Sequence, residues 1–70
     1  MEQQRTRFFL FGLRHTDKRK LAYGLNPEDA LTILSFRLTK QEMRSIVRDD
    51  VIVLHHQREI PQYARAGKLA

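Results

Sequence analysis

The sequence predicts an α+β fold, a small single domain of order β-β-α-α-β with helices on one face of a three-stranded sheet and a weak C-terminal helix after it. Three observations carry this expectation. Apolar runs of strand length, aromatic or β-branched, fall at 6–14, 19–25 and 51–56. Two helix-start signals, at Asn26 and Thr39, stand between the second run and the third. Finally, 70 residues with no cysteine allow one thin packed core and no disulfide framework in its place. The domain is expected to span 1–70, with 1–5 and 66–70 frayed.

The first strand, Thr6 to Arg14, is apolar on both faces. Phe8 and Leu10 point one way and Phe9, Phe11 and Leu13 the other. His15-Thr16-Asp17-Lys18 is polar and suits a hairpin connection. Arg19 to Leu25 then alternates, with Leu21, Tyr23 and Leu25 on one side. Asn26-Pro27-Glu28-Asp29 starts a helix: Asn26 can accept from an orphan amide, Pro27 has its backbone angle preset, and the two acids favour the positive end of the helix dipole. Ala30, Leu31, Leu34 and Leu38 form its apolar stripe, widened by Ile33 and Phe36. Thr39-Lys40-Gln41-Glu42 is a capping box, predicting a second helix from Lys40 to about Arg48 that ends in a turn at Asp49-Asp50. Val51 to His56 is the third strand. Gln57 to Pro61 breaks it, and Pro61 to Leu69 can hold a turn or two of amphipathic helix.

Helices over one face leave the first strand with a second apolar set to cover. Either the C-terminal segment folds back over it through Ile60, Tyr63 and Leu69, or a partner does. In the second case Phe9, Phe11 and Leu13 are the candidate protein interface and a homodimer is its simplest form.

Thirteen basic and eight acidic residues give a formal charge of +5, unevenly spread. Residues 1–20 hold six basic groups against two acidic ones, 21–56 four against five, and 57–70 three against one. Such clustering concentrates polyanions over a Debye length of roughly 8–10 Å. The candidate nucleic-acid or anion-binding residues are Arg7, Arg14, Lys18, Arg19 and Lys20, which would line the first hairpin among its aromatics.

Catalysis is not expected, and no cofactor or metal is called for. His55 and His56 are neighbours on a predicted strand and point to opposite faces, so they cannot hold one metal ion together. His15 with Asp17 reads as a solvated turn and Asp49 with Asp50 as a helix-ending one. Gly12, Gly24 and Gly67 stand alone and make no phosphate loop. No apolar stretch approaches the roughly 20 residues of a membrane helix, and no signal peptide is recognisable, so the expected location is cytoplasmic with no membrane partner.

The strand ending Phe11-Gly12-Leu13-Arg14, the Glu42-Met43-Arg44 helix with Ile46 and Arg48, and the run Val51-Ile52-Val53 together resemble the small linker domain of phycobilisome rods. This is a resemblance over part of the chain: Asp49-Asp50 stands where that family places a glycine pair, the capped helix at Asn26 falls near a family strand, and residues 57–70 lie outside the pattern. It implies an adaptor role. The function expected from the residues is a non-catalytic binding module that engages an acidic macromolecule, nucleic acid first, through the basic hairpin. The alternative is a protein–protein adaptor or dimerising regulator, with an acidic protein or a second copy as partner.

Overall fold

A computed structural model describes residues 6–70; the fraying expected of 1–5 lies outside the described residues. Strands β1 (Arg7–Leu13), β2 (Arg19–Gly24) and β3 (Ile46–Leu54) form one antiparallel sheet of order β2-β1-β3. Helices α1 (Pro27–Ser35) and α2 (Lys40–Arg44) connect β2 to β3. A single 3₁₀ turn (Gln57–Glu59) and α3 (Ile60–Arg65) follow. The α+β architecture is as the sequence predicts.

The apolar double face of β1 is explained by its central place. Phe9 and Phe11 are buried beneath the helices with Ala22, Ala30, Leu34 and Ile46. Their rings lie 6.4 Å apart and tilted, and burial of each stabilises the fold by about 1.5–3 kcal/mol. Leu13 is half-buried against the same cluster. This corrects the expected protein interface: Phe9, Phe11 and Leu13 are core, because their strand runs through the middle of the sheet.

Leu10 and Leu54, on the other face, are also fully buried. The chain wraps the sheet to achieve this. From β2 it crosses one face as α1 and α2 to reach β3; from β3 it returns across the other face as α3 and ends along the outer edge of β2. There the amide of Arg19 donates to the Lys68 carbonyl (2.6 Å) and the amide of Ala70 to the Arg19 carbonyl (2.9 Å). Residues 68–70 thus make an isolated parallel bridge to Arg19 at the end of the chain. Ile60, Tyr63 and Leu69 are half-buried along this return path.

Asn26 caps α1 as expected, its Oδ1 accepting from the Asp29 amide at 2.7 Å. The helix rides close on β2: a Cβ on Gly24 would lie 2.6 Å from the Ala30 backbone nitrogen. The stripe stops short of Phe36, which follows the last helical residue and is 83% exposed.

The larger departures are in α2 and β3. The capping box at Thr39 and Glu42 is formed in both directions, yet α2 stops at Arg44, not near Arg48. Ile46 and Val47 are β-branched and pair with Leu13 and Gly12, so strand formation along β1 wins over helix continuation. Between Val47, opposite Gly12, and Val51, opposite Phe11, Arg48, Asp49 and Asp50 bulge out of register. Asp49-Asp50 is therefore a bulge within a strand and not a helix-ending turn. At the far end β3 stops at Leu54, and His55 and His56 are exposed bends whose amides both donate to Glu59 Oε2 (2.9 and 2.8 Å).

Candidate nucleic-acid interface

The hairpin cations do not form one surface. Arg7 opens β1 opposite Gly24, roughly 20 Å along the strand from the hairpin turn. Lys18 and Arg14 are exposed at the turn itself, where His15 takes a positive φ of 66°. Arg19 and Lys20 are neighbours on a strand and so lie on opposite faces. Lys20, across from Phe11, is half-buried on the helix side.

Arg19 is bound to the sheet on the other side. Its Nη2 donates to Asp50 Oδ1 at 2.9 Å, and its Nη1 to the carbonyls of Leu10 (3.2 Å) and Asp50 (3.3 Å). One guanidinium on β2 thereby spans β1 and clasps the β3 bulge. Gly12 makes this possible, because the Asp50 carboxylate lies where a side chain at that position would be. Of the five residues predicted to bind, Arg19 is committed to structure, Lys20 and Arg7 are scattered, and Arg14 and Lys18 stay together.

A different cationic grouping emerges around Arg14. Its amide donates to the Ser45 carbonyl at 2.8 Å, tying the end of β1 to the end of α2. Ser45 is the C-cap of α2 and turns the chain at once into β3. This junction brings Arg14, Arg44 from the last turn of α2 and Arg48 from the bulge around one groove. All three are exposed, over Met43, Ile46 and Val47, which are half-buried or buried. Asp49 is the one carboxylate lining it. Among the described residues the ion pairs are Arg19–Asp50 and Lys68–Asp17, so none of the three arginines has a carboxylate within 4.0 Å. Arginine's planar fork of donors suits bidentate capture of phosphate or carboxylate.

Sequence reasoning missed Arg44 and Arg48 as site residues. The signal available was the capping box at Thr39, which fixes where α2 begins; the bulge that carries Arg48 outward has no sequence signature of its own.

The shifted carboxylates all lie elsewhere, Asp17 and Glu42 exposed and Glu59 half-buried. Hydrogen bonding and charge from Lys68 lower the pKa of Asp17. The Thr39 amide and then its hydroxyl lower that of Glu42, and the His56 amide leads the lowering at Glu59. Among the described residues no three His, Cys, Asp or Glu gather as a metal-binding group, and no helix is long and apolar enough to cross a membrane. Comparison with protein families, with curated proteins and with solved structures finds no match for the chain.

Proposed function

We propose that this protein is a non-catalytic binding module that holds an acidic macromolecule, nucleic acid, on the groove rimmed by Arg14, Arg44 and Arg48. The carrying observation is the convergence of these three exposed arginines, free of carboxylate partners among the described residues, from three separate elements onto one groove. Lys18, in the same turn as Arg14, extends the positive field. The site expected on the hairpin thus moves to its closed end and continues onto α2 and the bulge of β3. Phosphate contacts of this kind position a polyanion without reading its sequence.

The test is fluorescence anisotropy with labelled single- and double-stranded oligonucleotides across a salt series. Arg14→Ala, Arg44→Ala and Arg48→Ala should each weaken binding at low salt and lower the slope of log K against log salt by about 0.7–0.9 for each phosphate no longer neutralised. Unaltered affinity and slope in the triple variant would remove the reading.

A further inference from the structure

Phe36 stands apart on the surface: its ring is 83% exposed, whereas the other exposed large hydrophobics among the described residues reach 44% at most. Its turn is fixed by hydrogen bonds. The amide of Phe36 donates to the Ile33 carbonyl (3.2 Å), and those of Arg37 and Leu38 both donate to the Leu34 carbonyl (2.9 Å each). Leu38 packs against the core cluster and takes the inward position, which leaves Phe36 held outward. Arg37 is ordered beside it: its guanidinium carbon lies 5.4 Å from the centroid of the Tyr23 ring, and its Nη2 donates to the Tyr23 hydroxyl at 3.3 Å. Among the described residues Arg37 has no carboxylate within 4.0 Å, so its charge is uncompensated.

A second groove leads toward this ring from the arginines. It is about 800 Å³ and runs between α1 and the β3 bulge over Leu31, Met43 and Val51, all half-buried. It shares Met43, Arg48 and Asp49 with the arginine groove and follows α1 through Thr32 to Ser35. Phe36 comes next in the chain, one helical turn beyond Thr32. We propose that the nucleic acid held on the arginine groove is single-stranded, its unpaired bases passing along this second groove to stack on Phe36; the inference rests on the binding reading given above. Unpaired bases have apolar faces that a half-buried floor and an exposed ring can cover, whereas in a duplex those faces are already stacked on one another. Glu28 and Asp49 line the same groove. Carboxylates repel phosphate but accept from base amino groups, so this stretch suits bases, with phosphates at Arg14, Arg44 and Arg48 before it and at Arg37 beyond it.

Anisotropy of a labelled single strand and of its own duplex, at the same salt concentration, should show the single strand bound more tightly. Phe36→Ala should weaken single-strand binding by about five- to a hundredfold, the range of one lost base stack. Its salt slope should stay unchanged, because no phosphate contact is lost, and so should its urea midpoint, because the ring is exposed. Phe36→Trp should retain the affinity, and Phe36→Leu, apolar but without a π-face, should not. Arg37→Ala should instead lower the slope by about 0.7. If duplex binds as tightly as single strand through Arg14, Arg44 and Arg48, or if Phe36→Ala binds single strands as the wild type does, the inference is overturned while the arginine groove stands. Binding to neither form removes both.

Discussion

Gly12→Ala tests the clasp that joins all three strands. A Cβ at this position would lie 2.8 Å from Asp50 Cγ and 3.2 Å from Asp50 Cβ, against about 3.5–4.0 Å for comfortable carbon contact. The carboxylate must retreat on the order of 1 Å. That stretches its 2.9 Å bond to Arg19 past hydrogen-bonding range. The side chains of this pair are 22% and 52% exposed, so its loss costs no more than about 1 kcal/mol. Overpacking adds about 1–3 kcal/mol, and replacing a strand glycine returns about 0.5–1 kcal/mol. The expected net destabilisation is about 1–2 kcal/mol.

In an Asp50→Ala background the close carboxylate is gone and only the 3.2 Å contact with Cβ remains. Gly12→Ala then becomes neutral or slightly stabilising. The two substitutions should therefore couple by about 1–2 kcal/mol, the double variant being more stable than the sum of the singles implies. Urea unfolding followed by far-ultraviolet circular dichroism measures it, since the chain has no tryptophan. If Gly12→Ala costs the same in both backgrounds to within about 0.5 kcal/mol, Gly12 does not make room for the clasp.

Two further outcomes follow from the fold. Leu10→Ala should cost about 2–5 kcal/mol in urea unfolding, because Leu10 is fully buried on the face crossed by α3; a cost below about 1 kcal/mol would mean that this face is not closed by the C-terminal segment. Acid should destabilise the chain through Asp17, Glu42 and Glu59, whose folded-state pKa values are all lowered. Stability from a lowered carboxylate is present above its unfolded pKa, roughly 3.9–4.3, and is lost as pH falls through the folded one. Glu42→Gln should flatten the fall in urea midpoint below about pH 4, and an unchanged profile would count against the capping box as a source of acid sensitivity.

The elements legible in the sequence were those specified locally. Asn26 and Pro27 start α1, Thr39 and Glu42 start α2, and each signal needs only residues within one turn of itself. The ends of α2 and β3 were illegible because they depend on a distant strand. Ile46 and Val47 suit a helix face by spacing, and they become strand because Gly12 and Leu13 are there to pair with them. The cations of the basic hairpin do not share one surface for a related reason. Its cations are adjacent in sequence, but a pleated strand sends neighbours to opposite sides. Arg19 then met a carboxylate 31 residues away, a contact that no local pattern encodes.

The double apolar face of β1 had two readings, an interface or a strand covered twice, and topology decides between them. A chain that crosses one face to reach β3 and the other to return to β2 consumes both faces of β1 for stability. The proposed binding is then left to the rim of the sheet, where the β3 bulge has two consequences at once. Turning Asp50 inward over Gly12 completes the Arg19 clasp, and the same excursion carries Arg48 outward to join Arg14 and Arg44. The device that locks the strands together is therefore also the one that assembles the cationic groove, which couples the stability of the sheet to the shape of the surface proposed to bind.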